Sequence, residues 1–79
     1  MKLSIVSPEE TLYEGEVKSV KMQGIDGKFQ VLNDHAPLIS ALCKGEIKIE
    51  EESGEQKSFA INSGGLVELA KNEIHILAQ

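Results

Sequence analysis

The chain has 79 residues, 41% of them hydrophobic and 27% charged, which is the composition of one ordinary globular domain over residues 1–79. A chain of this size buries about 60% of its unfolded surface, enough for a small core. Thirteen acids against eight lysines give a net charge of −5, with no arginine and only three aromatics; this excludes a basic, base-stacking nucleic-acid surface and points to protein partners with complementary fields.

The opening "KLSIV" alternates, with Leu3 and Ile5 on one side, and predicts a first strand that Pro8-Glu9-Glu10 ends. This apolar stretch is too short for a signal peptide, and no run approaches the length of a membrane span, so no membrane insertion is expected. "LYEGEVKSVKM" is a longer extended segment in which Leu12, Val17, Val20 and Met22 do not keep one parity, which predicts a bulge or bend near Gly15 or Ser19. "QGIDG" is a turn, and "KFQVL" pairs Phe29 with Val31 on one face. "NDHAP" is a polar corner, and "LISAL" fits either a strand or one helical turn. "CKG" turns the chain, and its lone Cys43 leaves no internal disulfide and suits a reducing compartment. "EIKIE" alternates through Ile47 and Ile49 with charged residues outward, and the Glu50-Glu51-Glu52 run reads as a solvated strand end leading into the "ESGE" hairpin loop. "KSFAIN" carries Phe59 and Ile61, "SGG" punctuates, "LVELA" sets Val67 and Leu69 on one face, "KN" turns, and "EIHILA" closes with Ile74 and Ile76 inward and His75 outward.

Eight to ten short, mostly antiparallel strands with regular turn signals predict an all-β sandwich or flattened barrel with no helix longer than two turns. The predicted core is Leu3, Ile5, Val20, Met22, Phe29, Val31, Ile47, Ile49, Phe59, Ile61, Leu69, Ile74 and Ile76. The residues offer little for catalysis. His35 and His75 are forty positions apart and Cys43 stands alone, so no metal-ligand spacing is present. No oxyanion-hole motif adjoins Cys43 or His35, and "NSGGL" lacks the lysine of a phosphate loop. Gly64-Gly65 reads as a bend or a close backbone approach. The expectation is no catalysis, no metal and no cofactor. What remains is the corner: Pro37 fixes its own φ and pushes Ala36 away from helix, while Asn33 and Asp34 favour turns. A stiff polar loop on a sandwich is a contact surface. By physics alone the chain is a binding or assembly module, either part of a complex or free-standing for protein or carbohydrate.

"GKFQVLNDHAPLISALCKGEIKI" followed by "FAINSGGLVELAKNEIHILA" resembles the N-terminal β-sandwich domain of the epsilon subunits of F-type ATP synthases. The resemblance rests on the ordered set Gly27 to Leu32, His35 to Leu38, Gly45 to Ile49, Ile61, Gly64-Gly65, Val67 to Leu69 and Ile74 to Ala78; the opening "LSIVSPEETLYEGEVKSV" fits as well. It implies a non-catalytic rotor subunit of the central stalk, which docks on the gamma subunit and on the polar loops of the membrane c-ring and couples proton-driven rotation to ATP synthesis. It places Asp26, Gly27 and Lys28 toward the ring and Ser7, His35 and Ser40 toward gamma, with Ala36, Pro37, Gly64 and Gly65 shaping the corners. It implies a peripheral position on the cytoplasmic face of the bacterial inner membrane. Two departures stand out: Asn33 replaces a proline that many members carry, and Lys28 replaces an acid. Most members also continue into two C-terminal helices that inhibit ATP hydrolysis. The sequence ends at Gln79, where those helices would begin, so inhibition by helix insertion is not expected of it.

Overall fold

The computed structural model describes residues 1–79 as eight strands joined by turns: β1 (Lys2–Val6), β2 (Thr11–Gly24), β3 (Gly27–Leu32), β4 (Leu38–Leu42), β5 (Gly45–Glu51), β6 (Gln56–Ile61), β7 (Gly65–Ala70) and β8 (Glu73–Ala78). The fold turns on β2. Its first half pairs antiparallel with β1, from Val6 opposite Thr11 to Lys2 opposite Glu16. Its second half lies between β3, from Ser19 opposite Leu32 to Gly24 opposite Gly27, and β5, where Lys21 faces Lys48. Val17 opposes Glu51 but Ser19 opposes Glu50, so Lys18 is an extra residue that bulges out. The slip moves the inward set from Val17 to Val20 and Met22, both buried, which accounts for the broken parity in the sequence. At Gly15, the other position where a bend was expected, the register with β1 runs on unbroken.

This kink lets one strand serve two layers. One layer is β4-β7-β8-β1 with the first half of β2, antiparallel except for the parallel β1–β8 pair. The other is β3, the second half of β2, β5 and β6. A bridge between Gly24 and Leu42 ties the layers at one end. Sixteen buried residues fill the space between them. They comprise the inward residues of each strand, such as Leu3 and Ile5, Ile47 and Ile49, Val67 and Leu69, and Ile74, Ile76 and Ala78. β4 is a strand rather than a helical turn. Five residues cannot form a stable isolated helix, whereas residue-by-residue pairing with β7 satisfies their backbone.

Two predicted core residues are only half-buried, Phe29 and Phe59. The reason is position: β3 and β6 are the outer strands of their layer, each paired on one side only, so their inward aromatics lie at the rim. Met1, Val17, Leu42, Val67 and Ala78 complete the core in addition to the predicted set. The Met1 α-ammonium is held by the Val17 carbonyl at 3.0 Å and by Asn33 Oδ1 at 2.9 Å. Asn33 thus bonds to the chain start rather than to its own turn. Gly64 and Gly65 sit where two strands close in. Gly64 has φ 86° and a Cβ there would be 2.8 Å from the Leu42 carbonyl oxygen; a Cβ on Gly65 would run into the Leu77 carbonyl.

Candidate functional site

Alternate residues of a strand share a face, so the register fixes what each layer shows to solvent. On the β4-β7-β8-β1 layer, Ala41, Leu66, Leu77 and Val6 form one row across four strands. The next row is Ile39, Glu68, His75 and Ser4. Ile25 extends the first row, because its amide donates to the Ala41 carbonyl at 3.3 Å. Exposure is 70% for Ile39, 64% for Ile25, 50% for Leu77 and 41% for Leu66. Aliphatic side chains scattered singly on a surface are ordinary; gathered on one sheet face they make a candidate contact surface. Glu68 and His75 interrupt the face, and His75 Nε2 lies 3.4 Å from Glu73 Oε1.

The sequence-predicted residues are spread around the molecule, some at the corners of this face and some away from it. His35, Ala36 and Pro37 are exposed. The His35 amide donates to the Leu32 carbonyl at 3.3 Å, and its Nδ1 lies 2.7 Å from the Ala36 carbonyl, which assigns that nitrogen as the donor. Asp34 adopts φ 63° and its amide donates to Asn72 Oδ1 at 3.0 Å, fastening the corner to the β7–β8 turn. Lys71 and Asn72 of that two-residue turn both have positive φ, as a primed hairpin turn requires. Ser7 closes the β1–β2 loop: its amide reaches the Glu10 carbonyl at 2.8 Å and its Oγ accepts from the Glu10 amide at 3.3 Å. In register, Ser7 and His35 stand at diagonally opposite corners of the apolar face, Ser7 beyond Val6 and His35 ahead of Leu38. Ser40 is half-buried on the inward parity of β4, and the outward residues there are Ile39 and Ala41. Asp26, Gly27 and Lys28 are exposed in the β2–β3 hairpin. They lie at the other end of β3 from His35, a strand about 17 Å long at an ordinary rise. The structure therefore separates the two predicted contact regions rather than merging them.

His35 and Cys43 flank opposite ends of β4, so they form no nucleophile pair, and the Cys43 thiol faces the Gly24 carbonyl at 3.6 Å. No group of three or more His, Cys, Asp or Glu is placed to hold a metal ion.

A polar cluster went unread in the sequence. The Tyr13 hydroxyl donates to Glu51 Oε2 at 2.6 Å, and Lys57 Nζ lies 3.3 Å from the same oxygen. Lys57 also sits 5.7 Å from the centroid of the Tyr13 ring, which tilts against Phe59 at 5.5 Å. Burial, reinforced by the bond to Glu51, pushes the Tyr13 hydroxyl up to about 12. The Tyr13 hydroxyl, with help from Lys57, holds Glu51 below the usual carboxylate range. Glu51 is thus a fixed strand-end anchor within the glutamate run, not merely a solvated charge. The apolar face also went unread, although its signal was present: Ile39, Leu66 and Leu77 are large aliphatics at outward parity.

The fold is a small two-layer β-sandwich. Over residues 1–79 the chain matches the family described as ATP synthase, Delta/Epsilon chain, beta-sandwich domain. It is 38% identical over 78 residues to the ATP synthase epsilon chain of Chlorobium limicola, covering 99% of this chain and 88% of that one. It is 44% identical over 78 residues to the epsilon chain of Helicobacter pylori (strain Shi470), of which it spans 62%. Among solved structures, it superposes with a TM-score of 0.89 at 22% identity on a chain of the Euglena gracilis mitochondrial ATP synthase, OSCP/F1/c-ring, covering 96% of this chain and 48% of that one. On a chain of the Tetrahymena thermophila mitochondrial ATP synthase central stalk/c-ring, the TM-score is 0.80 at 19% identity, covering 100% and 63%. These two likenesses concern the fold. The chain belongs to the ATP synthase delta/epsilon family, the non-catalytic stalk subunits of the complex.

Proposed function

We propose that this domain is a rotor component of an F-type ATP synthase, docked on the gamma subunit through the apolar face of β4-β7-β8-β1 and on the membrane c-ring loops through the Asp26-Gly27-Lys28 turn. Clamped at two places, a sandwich with a close-packed core moves as one body and passes ring rotation to gamma, and so to ATP synthesis. The observation that carries the reading is the gathering of Ile25, Ile39, Leu66 and Leu77 on one solvent-facing surface flanked by Ser7 and His35. Separation of that surface from His35 to Lys28 along β3 supports two partners rather than one. The bacterial epsilon relatives support a peripheral position on the cytoplasmic face of the inner membrane. Co-purification with gamma and the ring tests it: Ile39→Asp should release the folded domain from gamma, and full retention of that variant on gamma would refute the assigned face.

A further inference from the structure

The opposite outer surface, on β3-β2-β5, carries a different chemistry. Lys21 faces Lys48 across the β2–β5 pair and Gln30 across the β2–β3 pair. Lys28 faces Gln23 one step further along. These side chains line an open groove of about 740 Å³, with Phe29 and Glu46 at its walls. Three of the eight lysines of an acidic chain gather here, and none of the three is within ion-pair distance of a carboxylate; the one lysine so paired is Lys57. The Glu46 carboxylate accepts from the Ser58 hydroxyl at 2.9 Å and leaves the groove with three lysines against one acid. Like charges directly opposite each other on a sheet destabilise it, so the Lys21–Lys48 pair is a local cost to the free domain.

We propose that this groove is a second docking surface, and that its occupant is an acidic, extended polypeptide segment. Complementary charge calls for an anion. The groove holds neither arginine forks nor a helix N-terminus, the usual means of gripping phosphate. It does hold the Gln23 and Gln30 amides beside the ammonium groups, which suits a peptide backbone flanked by carboxylates. The surface lies on the other side of the sandwich from the apolar face and goes beyond the rotor reading, sharing with it only Lys28.

The test uses the 79-residue chain and a fluorescent hexaglutamate peptide, with hexaglutamine as the neutral comparison. Hexaglutamate should bind, weaken with added salt, and lose about tenfold in affinity in Lys21→Glu/Lys48→Glu. Lys44→Glu/Lys71→Glu, of equal charge change but outside the groove, should bind nearly as the native chain does. Single Lys21→Glu should raise Tm by about 1–5 °C while weakening the peptide, because it turns a repulsive pair into an attractive one. A fall in Tm would mean the two lysines serve the fold itself, and would overturn the proposal. So would equal binding of hexaglutamate and hexaglutamine, unchanged binding in the double variant, or groove-dependent capture of tripolyphosphate or phosphatidylglycerol vesicles in place of the peptide.

Discussion

The two outer faces of this sandwich are built by the same rule and end in opposite chemistry. Both layers alternate apart from the slip in β2, and both send aliphatic residues to one shared core. Outward, β4-β7-β8-β1 shows Ile39, Leu66 and Leu77 beside Glu68 and His75, whereas β3-β2-β5 shows Lys21, Lys28 and Lys48 with glutamines and Glu46. The core constrains the inward residues but not the outward ones, and on the proposed reading each face is matched to its own partner. A purely solvated sheet would carry charge on both sides.

The sharpest way to break the comparison is to give the apolar face the polarity of the other. Ile39→Asp with Leu77→Asp should weaken gamma binding by about 100-fold or more, since buried anchors at interface centres are worth at least about 2 kcal/mol each. Binding is read by titration calorimetry, with Tm reporting that the domain stays folded. Next in size is an effect on the framework. Gly65→Ala pushes a methyl against the Leu77 carbonyl and should destabilise by about 1–3 kcal/mol in urea unfolding, with m unchanged.

Smaller again is Tyr13→Phe, which should cost about 1 kcal/mol by removing the hydroxyl bond to Glu51. Its pH signature is more specific than its size. A tyrosine whose folded value is raised stabilises fully below about pH 10, and that contribution is lost as pH climbs toward about 12. A glutamate whose folded value is lowered stabilises above the ordinary carboxylate value of about 4.3, and that contribution is lost as pH falls through the folded value. Tyr13→Phe should abolish the alkaline slope and flatten the acid one in Tm measured against pH. The smallest stability effect belongs to Lys28→Glu, which should stay within about ±0.5 kcal/mol by chemical denaturation while changing affinity for the ring.

The fold was legible because its signals are local. Alternation in "EIKIE", "LVELA" and "EIHILA" named the buried side, "QGIDG" and "KN" named the hairpins, and the parity break in "LYEGEVKSVKM" announced the bulge at Lys18. The site was less legible because it depends on which strands become neighbours. Leu66 and Leu77 read as isolated outward residues until pairing sets them side by side. Tyr13 and Glu51 are 38 positions apart and meet only because β2 changes layers. Lys21 and Lys48 meet only through the β2–β5 pairing. Phe29 and Phe59 misled because alternation tells the side of a sheet but not the distance from its edge. Ser40 shows the same limit: its place on β4 was legible, but its half-buried inward parity beside the exposed Ile39 was not.

One measurement tests the central claim most directly: methyl NMR of the Leu and Ile side chains with a soluble paramagnetic agent, on the domain alone and bound to gamma. Leu32 is the internal reference, because it is 54% exposed but lies on the β3 side of the molecule. The account predicts that Ile39, Leu66 and Leu77 lose access to the agent on adding gamma while Leu32 keeps it. Protection of Leu32, with those three methyls still open, would contradict it.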